Sequence, residues 1–290
     1  GLSGSRIGFR GAEDLGNGLK AVFTLEYSIA NDVNAGIGNT GGLNARQQFV
    51  GLEGGFGFVG LGRQYSPGFA VFKWDAAMGA SPFSPQSILS VNNGMTITPN
   101  SPGRFNNAIR YQSPKMGGLS GEVIYSLAET NELKDRRTGD RTGLGLDYAS
   151  GPLAVGAIYH HIEGGAASDQ KEWLLGASYN FGVAKVLGSY QQNKVGGDRD
   201  KLWNIGVDAP VSEAGKVFAA YAKFDDDRGS DFDVQSWSVG YTHSLSKRTM
   251  AYAAFSQVRN DDLRAVQVNT TAGGLGDNNN NYVLGIRHVF

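Results

Sequence analysis

The chain of 290 residues contains no cysteine, which removes disulfide frameworks, thiolate metal sites and cysteine nucleophiles from consideration. It has no surplus of either charge. The 26 lysines and arginines against 27 acids leave a formal net charge of -1, and no basic stretch supplies the phosphate contacts that a nucleic-acid partner requires. No apolar run approaches the ~18 to 20 residues of a membrane-crossing helix. Amphipathic helical stretches of useful length are also missing, and no linker marks a second domain, so residues 1–290 read as one domain.

What is present in quantity is glycine, 43 residues of it, and a period of two. In "EWLLGASYNF" Trp173, Leu175, Ala177, Tyr179 and Phe181 share one face, while Glu172, Leu174, Gly176, Ser178 and Asn180 share the other. "LWNIGVDA" and "NYVLGIRHVF" alternate in the same way. Short breaks rich in turn residues, such as "EDLGNG", "PKMGG" and "SEAG", take turns with long polar ones, such as "NDVNAGIGNTGG", "KVGGDRDK" and "DDLRAVQVNTTAGGLGDNNNN". The pattern predicts an all-β, up-and-down antiparallel meander whose two ends differ.

A soluble barrel or sandwich needs far fewer strands. About fifteen strands of roughly ten residues enclose a lumen too wide for side chains to fill, so the filling is water and the apolar face meets lipid. Aromatics near strand ends, such as Tyr27, Tyr111, Tyr179 and Tyr241, suit such a transmembrane barrel. Single-chain bacterial barrels close with an even number of strands, because an open edge in lipid leaves backbone groups unpaired. The expectation is therefore sixteen, with the first strand preceding Gly1.

Several runs carry a family resemblance: "SRIGFRGAEDLGNGLKAVFTLE", "RQQFVGLEGGFGFVGLGRQYSP", "RFNNAIRYQSPKMGGLSGEVIYS", "ASYNFGVAKVLGSYQQNK", "HSLSKRTMAYAAFSQ" and the terminal "GIRHVF". Over essentially the whole chain they resemble the general diffusion porins of Gram-negative outer membranes, particularly the β-proteobacterial branch. The resemblance implies a homotrimer of barrels in the outer membrane, in contact with lipid and lipopolysaccharide. It also implies a third long loop folded into the pore, and a terminal aromatic, here Phe290, read by the barrel-assembly machinery. The solutes it implies are ions and small hydrophilic molecules, with no cofactor, no metal and no enzymatic activity. The second long loop, Asn31 to Gly42, would latch onto a neighbouring barrel.

Competing motifs fail on context. "GFGFVG", Gly55 to Gly60, matches G-x-G-x-x-G, but it lies between two strand-like runs and Pro67 blocks the helix a dinucleotide site needs, so it reads as a hairpin turn. "SLSK" sits in a predicted turn without the partner motifs of serine–lysine enzymes. His160 and His161 are adjacent and point to opposite faces, so they do not grip one metal together. "DDD", Asp225 to Asp227, offers a divalent cation a landing site or is a solvated loop tip. An outer-membrane barrel enzyme would need a Ser/His/Asp grouping that is not visible here, whereas a substrate-specific channel for a sugar or organic anion stays open as an alternative.

Strand parity sets Arg6 against Ile7 and Phe9, Arg46 against Phe49, and Arg104 against Phe105 and Ile109, which points all three guanidinium groups into the lumen. Their contexts resemble the arginine ladder of general porins. Arg10 and Arg110 share the inward parity further along their strands, and Glu26 is a candidate salt-bridge partner. The longest break, 68–103, would be the inward-folded constriction loop, since Phe69, Val71, Phe72, Trp74 and Phe83 suit a wall better than water. It carries one acid, Asp75, with Lys73 nearby, and this balance predicts a preference for anions.

Overall fold

A computed structural model describes residues 4–29, 44–79, 81–129, 137–267 and 274–290; the loop expected to act as a latch, 31–42, lies outside them. Its first eight strands are β1 (Arg6–Gly16), β2 (Leu19–Ser28), β3 (Ala45–Gly54), β4 (Gly57–Tyr65), β5 (Arg104–Gln112), β6 (Leu119–Ser126), β7 (Arg141–Ser150) and β8 (Leu153–Ile162). The remaining seven are β9 (Gln170–Asn180), β10 (Lys185–Val195), β11 (Asp198–Pro210), β12 (Gly215–Asp225), β13 (Val234–Ser244), β14 (Thr249–Asn260) and β15 (Asn279–His288). They form one antiparallel sheet in strict sequence order from β1 to β15. Among the described residues β1 pairs only with β2 and β15 only with β14.

Alternation decides which face is which. Along β15, Tyr282, Leu284 and Ile286 are 79%, 87% and 68% exposed, and the same outward face carries Leu175 on β9 and Ile205 on β11. The opposite face holds Leu174, Leu187, Leu202 and Phe218, all buried. What buries them is the segment between β4 and β5. It consists of a 3-10 turn at Pro67–Trp74, a short helix α1 (Pro85–Asn92) and a second 3-10 turn at Ser101–Gly103. Ser84 caps α1 by accepting from the Ser87 N–H, with Pro85 at the first helical position, as helix starts favour.

This segment touches strands far apart in the sheet. Val71, Trp74 and Ile97 pack with Ile158 on β8 and Leu174 on β9. Ala76, Ala77 and Phe83 pack with Leu187 on β10, Phe218 on β12 and Tyr252 on β14. Ile88, Leu89 and Met95 pack with Leu202 on β11, Phe224 on β12 and Val258 on β14. One short segment reaches all of these only if the sheet curls around it, and the enclosed side is a lumen. Gly176 on β9 permits one such close approach: a Cβ there would run into the Trp74 ring, so the bare backbone gives the indole its place on the wall.

The hairpins follow the expected alternation with one exception. "GFGFVG" is a tight turn at Gly55 and Phe56 between β3 and β4, as its context predicts. "KVGGDRDK", by contrast, is mostly strand: β10 runs to Val195, β11 starts at Asp198, and only Gly196 and Gly197 turn, the first with φ +62°. Two glycines in tandem permit the two-residue turn that their polar flanks disguise.

Candidate functional site

Charged side chains gather at the start of β1, the end of β2 and the segments bordering 66–103. Glu26 on β2 is the hub: Arg46 Nε donates to its Oε1 at 2.7 Å, and Arg6 Nη1 approaches the same oxygen at 3.5 Å. Arg104 opens β5 with its guanidinium carbon 4.7 Å from the Phe69 ring centre and 5.5 Å from that of Tyr65. Those two rings are themselves stacked 3.8 Å apart. Arg104 is 8% exposed and its Nε has no hydrogen-bond partner. Arg6, Arg46 and Arg104 line one cleft of about 400 Å³ together with Tyr65, Phe72 and Asn100.

Two of these arginines face inward for a reason that simple parity does not supply. Gln47 pairs with Glu26 and Phe49 with Thr24, so Phe49 shares the inward face of Glu26 and strict alternation would turn Arg46 outward. A register shift between Glu26 and Tyr27 inserts Arg46 as an extra residue in β3, and this bulge brings it to Glu26. Around Arg104 the pairing of β4 with β5 shifts between Gly62 and Gln64, with Gly62 at φ +128° and Asn107 at φ +46°. Here Phe105, expected opposite to Arg104, is instead fully buried, 5.0 Å from the His160 ring.

The same distortion delivers arginines that the sequence reading passed over. Arg63 donates to the Ala45 carbonyl at 3.1 Å and to Asn106, and it lies within electrostatic reach of Arg46 and Arg141. Arg141, at the start of β7, sits over the Phe105 ring at 5.5 Å. Neither is legible from alternation, because Arg63 follows the bulge glycine and Arg141 ends a polar break.

The remaining candidates are placed as follows. Lys73 pairs with Asp147 on β7 at 2.7 Å. Asp75 is buried, accepting from the Ala77 N–H at 2.9 Å and from the Ser84 hydroxyl, and it makes no contact with the arginines among its hydrogen bonds or ion pairs. Burial pushes its carboxyl above the usual carboxylate range, against the pull of those two donors. Arg110 is engaged with Glu122 on β6 through Nε at 3.0 Å and through Nη2. Arg10 lies on β1 with the inward parity of Arg6, and Phe290 is fully exposed at the chain's end.

A second set of residues fixes the segment 67–103, and its role was hidden in the sequence. Glu172 on β9 is completely buried and accepts from Thr96 N and Oγ1 at 2.8 Å each, from Ile97 N at 3.0 Å, and from Gln191 on β10. His160 on β8 accepts at Nε2 from the Gly68 N–H at 3.1 Å, which assigns its proton to Nδ1, 2.9 Å from Thr96 Oγ1. Parity set Glu172 against the apolar face and His160 opposite to His161, but only the fold shows what the two side chains hold. His161 faces the other way, as adjacent residues must. Its ring, Glu163 and Asp169 bring ligand atoms within 4.8 Å of one another at the strand rim, where Lys171 also approaches Asp169 at 3.9 Å. Two of the three "DDD" acids are engaged by cations: Asp225 by Lys223, and Asp226 by Arg228 at 2.8 Å and Arg264 at 3.5 Å.

A sheet in sequence order, with an apolar outer face and one loop packed inside an arginine-lined lumen, meets its counterpart in known proteins. The family model described as "Gram-negative porin" matches residues 1–263. The chain belongs to the Gram-negative porins. Outer membrane porin protein 32 of Delftia acidovorans is 36% identical, with 100% of this chain and 86% of the relative covered. An outer membrane porin protein of Bordetella pertussis is 28% identical over 99% of this chain and 83% of its own length. Among solved structures, the anion-selective porin from Comamonas acidovorans superposes with a TM-score of 0.85 at 33% identity, covering 100% of this chain and 90% of that one. A trimer form of OmpT from Vibrio cholerae, 15% identical with a TM-score of 0.67 over 89% of this chain and 81% of its own, shares the fold. This porin is thus an outer-membrane β-barrel protein of a non-enzymatic family, as its sequence indicated.

Proposed function

We propose that this porin is an anion-preferring diffusion channel, with residues 68–103 as its constriction loop and Arg6, Arg46 and Arg104 as the positive side of the constriction. Arg63 and Arg141 extend that positive side. The observation that carries the reading is a charge balance: among the described residues, Glu26 is the carboxylate that pairs with this group, through Arg6 and Arg46. Among acids elsewhere in the lumen, Glu122 is engaged by Arg110, Asp147 by Lys73 and Asp208 by Lys216 at 3.0 Å, while Glu172 is sealed behind the loop. Like charges over low-dielectric walls focus a positive potential and concentrate anions. The similar Comamonas porin is described as anion-selective, which supports the same sign here.

The assembly we infer is a homotrimer in lipid and lipopolysaccharide, inserted by the barrel-assembly machinery through Phe290, and one related structure is of a trimer form. Zero-current potentials across planar bilayers under a KCl gradient test the charge preference. The expected sign is that of anion selectivity, shifting toward cations in Arg46→Ala; a cation-selective parent channel rejects the reading.

A further inference from the structure

Phe72 is out of place for an ordinary packing residue. It belongs to the same 3-10 turn as Phe69, Val71 and Trp74, all buried, yet its own ring is 42% exposed. It borders the arginine cleft on one side, and on the other a second lumen cavity that also contains Lys73 and Lys216. An apolar ring facing the water of a lumen beside clustered arginines has no packing reason, because its neighbour Phe69 already fills the contact with Tyr65.

The other rings show what the surface can do. Phe69 stands edge-on to Phe72, with ring centres 6.3 Å apart, and Arg104 lies alongside the Phe69–Tyr65 stack, close to both rings. The cleft therefore offers an aromatic face at Phe72 beside the Arg104 guanidinium, with Arg6 and Arg46 on the same lining. Inorganic anions use only the charges. A solute with a flat apolar body and a carboxylate uses both, since aromatic rings gain from edge and face contacts beyond burial alone.

We propose that the constriction favours aromatic carboxylates over small aliphatic ones, with Phe72 as the residue that sets this preference by contacting the solute's ring while Arg104 and its neighbours hold the carboxylate. This rests on the reading of the cleft as the anion path. An aromatic solute lingering at Phe72 obstructs chloride, so block of the chloride current reports its binding.

The experiment uses the full-length porin in planar bilayers, titrating benzoate, cyclohexanecarboxylate and acetate into KCl and reading the concentration that halves chloride conductance for each. Benzoate is expected to block at the lowest concentration and acetate at the highest. Phe72→Ala should weaken benzoate block relative to acetate block by about three- to tenfold, the range that one aromatic contact supplies, and Phe72→Tyr should restore the ratio. Heat-modifiable mobility on semi-native gels confirms that each variant is folded. Equal block by benzoate and acetate in the parent, or an unchanged ratio in Phe72→Ala, overturns the proposal even if the channel is anion-selective. A cation-selective zero-current potential would instead remove the underlying reading, so the two failures are told apart.

Discussion

The lumen wall has two unlike sides. On the side formed by β8 to β12, the inward residues that meet the loop are apolar or hydrogen-bonding, and they hold it: Ile158, Leu174, Leu187 and Leu202 supply contact area, while His160, Glu172 and Gln191 take its backbone. On the side formed by β1 to β5, inward residues are long and cationic, and the loop leaves the cleft at Arg6, Arg46 and Arg104 open. One alternating pattern thus does opposite jobs. Where charge is absent or buried with its partners satisfied, the loop adheres; where clustered arginines gather around Glu26, solvent stays, because stripping water from them would cost more than packing returns.

Breaking the adhesive side should have the largest effect. Glu172→Ala leaves Thr96, Ile97 and Gln191 with buried donors lacking an acceptor, a loss on the order of 3 kcal/mol. Released from the wall, 68–103 should become cleavable by protease in the folded barrel, and single-channel current should become noisier. Glu172→Gln, which keeps two acceptor lone pairs, should do less. A loop that resists proteolysis in Glu172→Ala would mean that the hydrophobic clusters alone hold it.

Neutralising the open side comes next. Joint replacement of Arg6, Arg46 and Arg104 by alanine should move the zero-current potential toward cations further than Arg46→Ala alone, with little change in loop protection. The shift should shrink between 0.1 M and 1 M salt, where the Debye length falls from about 10 Å to about 3 Å. The smallest effect is expected for Asp75→Asn. This acid is buried and bonded to Ser84 and Ala77, and burial lifts its carboxyl toward the neutral form, so the reversal potential should stay within the scatter of replicate bilayers. A clear gain in anion selectivity would show that Asp75 does oppose the arginines.

Much of this was legible in the sequence, for reasons that differ by element. Alternation in "EWLLGASYNF" gave both the strand and its outward face, since a period of two fixes sides wherever strands are regular. Phe69, Val71, Trp74 and Phe83, apolar residues in the longest break, suited a wall better than water, and all four are buried. Arg46 and Arg104 were legible as inward residues for a partly wrong reason: bulges at Glu26/Tyr27 and Gly62/Gln64 reset the parity on which the inference stood, and Phe105 was misplaced by the second. A bulge depends on the partner strand, so one strand's pattern does not contain it. Arg63, Arg141 and the bonds of Glu172 were hidden because their partners lie tens of residues away.

The absence of cysteine makes the most direct test possible, since one introduced thiol is the only one in the chain. Ser101→Cys places it in the open cleft, and Ser90→Cys places it inside the packed loop, where Ser90 is fully buried and bonded to Thr98. Reaction is followed with a negatively charged and a positively charged thiosulfonate at low salt. The thiol at 101 should react faster with the anionic reagent, and this preference should vanish when Arg6, Arg46 and Arg104 are alanine, while the thiol at 90 should resist both reagents. A thiol at 101 that reacts faster with the cation, or one at 90 that reacts as fast as 101, would contradict a lumen divided into an adhesive wall and an open positive one.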